Sequence, residues 1–318
     1  MQLLNKIKVK SLGPGIILAG AAIGGSHLMS STTAGARFGF ALLGLILLTN
    51  FLKYPFLLVG TRFTSVTGLS LLEGFKMKNP LYLPIFLVVS LFTGTFTIAA
   101  VSFVTGVLLT NIPLFSKFPP MDLSIGILVI SGLILLFGKY KALDRISKGL
   151  VSLLTFLTLF AVLSLLIKGS FNPELNSSWI KSEISPWKFS NLAFLIPLMG
   201  WMPCPIELCV WPSLWMFSNN KESNYKVSLE EAEFDFNLGY LITVITAIFF
   251  LTLGAITMYG SGEGMLSGSG VFFAQNLIRL YTDSIGEWSK WIIIPASFTA
   301  MFSTTLTCLD AYPRSISS

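Results

Sequence analysis

Long runs of apolar residues constrain this chain more than any other feature. Eight runs lie at 13–35, 38–61, 81–110, 122–138, 149–168, 189–216, 237–259 and 289–312. A helix needs about 20 apolar residues to cross a bilayer, and only helices or closed barrels satisfy their backbone groups in lipid. The runs are too long for the roughly ten-residue alternating strands of a barrel. The sequence therefore predicts an all-α integral membrane protein, a single domain over 1–318 with about eight spans.

Charge supports this interpretation and predicts an orientation. The 318 residues are 53% hydrophobic and 11% charged, whereas a soluble domain carries about 25% charged residues. With the N-terminus in the cytoplasm, thirteen basic residues fall in inner loops and seven in outer loops, as the positive-inside rule requires. The net charge of +6 thus needs no nucleic acid to explain it. The basic stretch 1–12 leads directly into the first run, so we expect no cleavable signal peptide.

Local patterns between the runs give further expectations. The stretch SLEE from Ser228 is typical of a helix N-terminus, because carboxylates there favour the helix dipole. We expect the acidic cluster of Glu230, Glu231, Glu233 and Asp235 to face solvent. The Gly/Ser-rich segment 259–270 is interpreted as a flexible external loop and not as a phosphate-binding loop, since it lacks the GxxxxGK[ST] pattern.

The sequence also predicts where the charged residues and cysteines inside the runs lie. Lys53 is expected to extend its ammonium to the membrane interface rather than pair with a carboxylate. Asp310 is expected to pair with Arg314 at the (i, i+4) spacing. Cys209 and Cys308 are interpreted as small buried core residues.

Two of the predicted spans are interrupted. Pro203 and Pro205 remove backbone donors, with Gly200 nearby, so the helix should unwind around 199–206. The first span has its own weak point at 24–26, before His27. Broken spans five helices apart are typical of transporters built from inverted repeats, in which substrate binds where the breaks meet. We therefore predict a LeuT-like fold with broken helices 1 and 6, a first repeat over 1–168 (helices 1–5) and an incomplete second repeat over 189–318 (helices 6–8).

Residue types at the breaks indicate a cation. They comprise an imidazole, a thioether, a thiol, a carboxylate and hydroxyls: His27, Met202, Cys204, Glu207, Ser26 and Ser30. Thiolate and thioether ligands favour soft or borderline ions, and imidazole suits Zn, Cu, Fe and Ni. A partly hydrated Mg²⁺ stays open, since Mg²⁺ keeps its waters. His27 is also a candidate proton carrier, because histidine titrates near neutral pH, and Glu207 is expected to line the pathway.

The sequence resembles the natural-resistance-associated macrophage protein (Nramp) family, in a divergent bacterial branch. GPGIILAGAAIGGSHLMSSTTAG is similar to the family's first helix, which opens with GPG, carries DPGN in the break and ends in AG. Met202-Pro203-Cys204 stands where the family's sixth helix has MPH. The resemblance implies proton-coupled transport of divalent metal ions in a bacterial inner membrane. It also implies a metal site, with residues at the family's ligand positions: Gly24, His27, Met202, Cys204 and the Met199 carbonyl. The Ser26 hydroxyl, at the first break, is a further candidate ligand from its residue type.

Departures from the family pattern concern metal choice and proton coupling. Gly24 stands where the family has an aspartate, and the third predicted span contains no acid. Two alternatives stay open at this point. One is a transporter of the same fold for an organic solute such as an amino acid. The other is a truncated, non-transporting membrane protein, because two five-helix repeats need ten spans. HExxH and GxSxG motifs are missing, so we expect no enzyme, and we expect no cofactor.

Overall fold

The computed structural model describes residues 12–168, 185–259 and 286–317, together with Ile278 and Thr282. Within these ranges the architecture is helical throughout. The α-helices are α1 (Pro14–Ala22), α2 (Thr32–Phe38), α3 (Leu43–Thr67), α4 (Leu71–Lys78), α5 (Tyr82–Leu109), α6 (Pro120–Lys168), α7 (Leu192–Trp201), α8 (Val210–Ser223), α9 (Leu229–Met258) and α10 (Lys290–Ser317). A π-helix (Ser26–Ser31) precedes α2, and 3₁₀ turns occupy Phe189–Asn191, Ile206–Cys209 and Glu287–Ser289.

The helices account for the eight apolar runs. Six helical segments of the described chain are long and apolar enough to cross a membrane. One of them, α6, carries two of the runs on either side of a kink at Lys139, where φ is 49° and ψ is −149°. The first run is divided between α1, the π-helix and α2, so none of its pieces reaches spanning length alone. The predicted loop 259–270 lies outside the described residues, apart from Tyr259.

Apolar side chains on the outer helices face outwards. Phe92 and Phe96 of α5, Phe137 of α6 and Phe51 of α3 are all largely exposed. A soluble protein rarely leaves such a large apolar surface uncovered, whereas lipid covers it at no cost. One large cluster of buried residues lies where α1, α9 and α10 pack together with parts of α5 and α6, and a second joins α1 to α3, α8 and α10. The interrupted first span therefore lies inside the bundle.

The start of α9 confirms one prediction and corrects another. Ser228 caps the helix as expected, since its hydroxyl accepts from the Glu231 N–H and its own N–H donates to the Glu231 carboxylate. The expectation of a solvated acidic face was wrong for Glu231 and Asp235, which are both buried. Asp235 points inwards because its carboxylate accepts from the N–H groups of Gly13 (3.0 Å) and Gly15 (2.6 Å). It thereby anchors the N-terminal end of α1, which a helix dipole favours.

The end of α10 carries the predicted ion pair. Arg314 Nη2 lies 2.6 Å from Asp310 Oδ1, and Trp215 Nε1 donates to Asp310 Oδ2 at 2.8 Å. The pair therefore joins α10 to α8. Cys209 and Cys308 are buried, as predicted.

Candidate functional site

The second break lies between α7 and the 3₁₀ turn at Ile206–Cys209. Helix α7 ends at Trp201, within the region predicted to unwind. The donors that would continue the helix from the Met199 and Trp201 carbonyls belong to residues 203 and 205, which are prolines without an N–H. These two carbonyls therefore have no helical partner. The Met199 carbonyl, a predicted metal ligand, is one of them, while the Met199 side chain is 42% exposed on the outer surface.

Lys53 supplies positive charge to this break. Its Nζ donates to the Gly200 carbonyl at 2.6 Å and to the Cys204 carbonyl at 3.2 Å. The prediction that Lys53 extends to the membrane interface was therefore wrong. The break offers carbonyl oxygens at the negative end of the α7 dipole, and these are nearer partners for an ammonium than the interface.

Replacing Lys53 with methionine should weaken this arrangement, because the apolar chain keeps the stem and loses both hydrogen bonds. Hydrogen bonds to a charged group contribute about 1.5–3 kcal/mol each. Lys53 is only half-buried, so solvent screens both bonds, and we expect a total loss of about 2 kcal/mol in the free energy of unfolding. Thermal unfolding of the detergent-purified chain measures it. Lys141→Met is the control, since Lys141 is exposed and its loss should cost under about 0.5 kcal/mol. Equal melting temperatures for both variants would contradict the assigned role of Lys53.

The first break lies between α1 and the π-helix. The Gly24 N–H donates to Ala22 at 2.9 Å instead of continuing the α-helical pattern. Ser26 Oγ lies 2.8 Å from the Ala22 carbonyl and 3.3 Å from the Pro203 carbonyl. The Ser26 hydroxyl therefore lies at the point where the two breaks meet. Short π-helical segments of this kind are frequent at functional sites.

A cavity of about 60 Å³ lies between the breaks. Its walls include Gly25 and Ser26 from the first break, Pro203 and Cys204 from the second, and Cys308 of α10. Thr97 of α5 and Thr304 and Tyr312 of α10 complete its polar lining. Drug-sized ligands occupy pockets of about 300–1,000 Å³. In this conformation the cavity has room for an ion with a few waters, and no room for a larger solute.

His27 directs both ring nitrogens to other protein atoms. Nε2 lies 2.9 Å from the Thr243 carbonyl and must donate, because a carbonyl only accepts. Nδ1 then accepts from Ser26 Oγ at 2.7 Å. The ring is fully buried and borders α9 instead of lining the cavity. The assignment of His27 as a ligand or proton carrier stays a prediction.

The other predicted site residues separate into two groups. Cys204 and Ser26 line the cavity, and Gly24 lies beside it against Thr304. Met202 is buried among apolar residues away from the cavity, with its sulfur 3.9 Å from the Ser31 hydroxyl. Glu207 is half-buried in the 3₁₀ turn beyond the break. In the described part of the chain, no group of three or more His, Cys, Asp or Glu residues is arranged to hold a metal ion together.

Some lining residues were missed by the sequence reasoning. Thr97, Thr304 and Tyr312 carry hydroxyls in apolar spans, and Cys308 was assigned only a packing role. A signal was available in α10, where 303–307 reads STTLT between apolar residues. A run of hydroxyls inside a span is a reason to expect a polar partner or pathway.

Comparison with known proteins decides the family. The model of the family described as natural resistance-associated macrophage protein-like matches residues 15–312. The chain belongs to the Nramp family. An uncharacterized protein of Pasteurella multocida (strain Pm70) is 39% identical to this Nramp-family chain over 307 residues, which is 96% of the chain and 70% of that protein.

Solved structures show the same fold. The Eremococcus coleocola manganese transporter, in a crystal structure with an aromatic bis-isothiourea substituted compound, matches with a TM-score of 0.63 and 16% identity. The match covers 96% of this chain and 65% of that one. A mutant of the same transporter matches with a TM-score of 0.64 and 15% identity, covering 96% and 67%. The Nramp-family chain is therefore a multi-pass membrane protein with the predicted LeuT-like transporter fold, and it spans about two thirds of these transporters.

Proposed function

We propose that the chain moves divalent metal ions of the Mn, Fe or Zn type across a membrane by alternating access, with Mg²⁺ as a further candidate. The observation that carries this proposal is the ion-sized cavity between two broken spans, walled by Ser26 and Cys204. Broken spans of this kind hold substrate where their unwound stretches meet. Membership of the Nramp family and the fold shared with a manganese transporter support it.

Conformational change links the cavity to the other predicted ligands. Ser26 both lines the cavity and bonds His27 Nδ1. A turn of the Ser26 hydroxyl would release that nitrogen towards an arriving ion. In the same proposal, Met202 and the Met199 carbonyl join the ion when the second break rearranges. His27 and Glu207 are the candidate groups for proton coupling, which would make the chain a symporter.

The sequence also supports proposals for the membrane in which the chain lies, its orientation there and its division into repeats. We propose a bacterial inner membrane with the N-terminus in the cytoplasm, because basic residues predominate in the loops of that side. We also propose that 1–168 and 189–318 are the two repeats of the transporter, the second of them incomplete in this chain. The two breaks then occupy equivalent positions in the repeats.

Uptake into proteoliposomes tests the proposal. Mn²⁺, Zn²⁺ and Mg²⁺ are offered to vesicles that contain the parent chain or a single variant. Cys204→Ala removes a thiol from the cavity wall. We expect at least a tenfold fall in metal uptake, since the thiolate that forms when an ion displaces the thiol proton is a strong ligand for borderline ions. His27→Ala and Met202→Ala are expected to reduce uptake similarly.

Cys209→Ala is the matched control. Cys209 is buried one turn beyond Cys204 and is not part of the cavity wall, so uptake should stay close to that of the parent. Equal effects of the two cysteine variants would remove the cavity as the ion site. Absence of any metal flux from the parent, with uptake of an amino acid in its place, would favour the organic-solute alternative.

A further inference from the structure

The second break already holds a positive charge that belongs to the protein. Lys53 lies near the middle of α3 (Leu43–Thr67), at a depth where a charged side chain is costly and is by default functional. Its ammonium donates to the Gly200 carbonyl at 2.6 Å and to the Cys204 carbonyl at 3.2 Å. Within the described ranges, the ion pairs of the chain do not include Lys53. No carboxylate neutralises the ammonium at the break.

The carbonyls that Lys53 contacts are the kind that a bound cation uses. Unwound carbonyls and the C-terminal ends of half-helices coordinate cations in transporters with discontinuous helices. Gly200 lies in the last turn of α7, at the negative end of the helix dipole. Cys204 lies in the break itself and lines the cavity. The ammonium therefore holds the negative end of α7 that a substrate ion would otherwise neutralise.

A fixed ammonium in this position opposes the binding of a divalent ion. The carbonyl of Cys204 binds Lys53, and the same residue forms part of the cavity wall. Like charges at such short range repel, and the repulsion exceeds that in bulk water because protein lies between them. The described residues of the cavity wall include no carboxylate that would offset it. A divalent ion would bind more tightly if the ammonium left the break.

Glu207 offers the ammonium another partner. It lies in the 3₁₀ turn Ile206–Cys209, directly after the break, and it is half-buried. Its charge acts on that of Lys53, yet its carboxylate makes no ion pair in the part of the chain that the structure describes. A lysine side chain is a flexible four-carbon stem, so a change of rotamer can carry the ammonium from the carbonyls towards this carboxylate.

We propose that Lys53 is a displaceable counter-cation of the second break and sets the affinity of the chain for its divalent substrate. In the empty state the ammonium binds the Gly200 and Cys204 carbonyls. An arriving ion displaces it, and the ammonium moves to Glu207. Its return to the carbonyls helps to expel the ion, because a transported ion must bind weakly enough to leave. This role rests on the proposed transport of divalent ions.

Equilibrium binding of ⁵⁴Mn²⁺ to the detergent-purified full chain tests this role, at constant ionic strength. Lys53→Met keeps the apolar stem and removes the charge, so we expect Mn²⁺ to bind at least about tenfold more tightly. Lys53→Arg keeps the charge and should restore the weaker binding of the parent. A purely structural role predicts the opposite, since a loosened break would hold the ion less well. Melting temperatures establish that each variant is folded at the temperature of the measurement.

Two further variants test the movement of the ammonium. Glu207→Gln removes the second partner of Lys53, so the ion competes with an ammonium that has no other carboxylate, and binding should weaken at least about threefold. Lys141→Met is the matched control, because Lys141 is an exposed lysine of α6 and its loss should leave Mn²⁺ binding unchanged. In proteoliposomes, Lys53→Met should lower both the KM and the maximal rate of Mn²⁺ uptake, since the ion leaves more slowly.

The outcomes separate this role from the proposed function. If the parent binds Mn²⁺ and Lys53→Met binds it no more tightly, the role of Lys53 is overturned and divalent transport stands. Binding by Lys53→Arg as tight as that by Lys53→Met would also overturn it, because the charge would then be irrelevant. Binding by Glu207→Gln equal to that of the parent would overturn the movement to Glu207. Absence of Mn²⁺ binding from both the parent and Lys53→Met would overturn this role together with Mn²⁺ transport.

Discussion

Alanine in place of Gly239 should prevent the chain from reaching its folded state. Helices α1 and α9 cross with their backbones in contact, since a Cβ on Gly239 would lie 2.1 Å from the Gly15 carbonyl oxygen. A Cβ on Gly15 would in turn lie 2.2 Å from the Asp235 carbonyl oxygen. Close approach through glycines is a common way for helices to pack in membranes. The two helices would have to separate to admit a methyl group.

The same arrangement recurs further along α9. A Cβ on Gly254 would lie 2.1 Å from the Thr32 carbonyl oxygen, and one on Gly35 would lie 2.1 Å from the Leu251 carbonyl oxygen. Both parts of the broken first span are therefore held on α9 by reciprocal glycine contacts. Adding a methylene to a packed core costs about 1–3 kcal/mol, and occasionally more. Against rigid backbone we expect the upper end of this range or beyond, from a total stability of about 5–15 kcal/mol.

Size-exclusion chromatography of detergent extracts measures the outcome, because a misfolded membrane protein aggregates. Gly239→Ala and Gly254→Ala should lose most of the monodisperse peak. Gly126→Ala and Gly149→Ala are the controls, since both lie in α6 with no atom within 4 Å of the added Cβ. They should keep the peak and gain up to about 1 kcal/mol from better helix propensity. A monodisperse Gly239→Ala protein with the melting temperature of these controls would refute the close crossing.

Local sequence patterns were sufficient to predict the helices and their interruptions. The apolar runs, the prolines at 203 and 205 and the capping sequence at Ser228 act over a few residues, so their consequences follow from spacing and backbone chemistry. The resemblance to the Nramp family supported the same fold that the two broken spans indicated. These features are confirmed because little in the tertiary structure competes with them.

The site could be predicted only in part, because its details depend on packing between distant segments. Ser26 and Cys204, which line the cavity, were predicted from the breaks themselves, and their role as ligands stays a prediction. The partner of His27 is the Thr243 carbonyl on α9, and spacing along the chain gives no information about that contact. Lys53 was misjudged for a similar reason, since its partners are carbonyls that become available only when α7 ends.

Asp235 is the clearest example of a contact between distant segments that the sequence pattern could not predict. An acidic cluster at the start of a helix is normally solvated and favours the dipole of its own helix. Here the fold brings the N-terminus of a different helix against one member of the cluster, and that carboxylate is buried at 2% exposure. Its neighbour Glu233 follows the usual pattern and pairs with Arg62 near the surface.

Asparagine in place of Asp235 should therefore destabilise the chain strongly. Both carboxylate oxygens accept from backbone N–H groups, of Gly13 at 3.0 Å and Gly15 at 2.6 Å. The amide keeps one acceptor and turns an NH₂ group towards the other N–H, so a buried donor loses its partner. Hydrogen bonds to charged groups contribute about 1.5–3 kcal/mol each, and we expect a loss of about 3–5 kcal/mol in the free energy of unfolding.

Thermal unfolding measures the size of this loss, and hydrogen exchange shows where it acts. Exchange should rise over 13–22 in Asp235→Asn, because α1 loses the anchor of its N-terminal end. Glu233→Gln is the control: it removes one carboxylate from the same helix, and an exposed ion pair contributes about 0–1 kcal/mol. Similar melting temperatures for the two variants, or unchanged exchange over 13–22, would mean that glycine packing alone positions the N-terminal end of α1. We expect Asp235→Asn to cost more than Glu233→Gln because Asp235 is buried. When one of its carboxylate oxygens is lost, no water can take its place as the acceptor for the backbone N–H group.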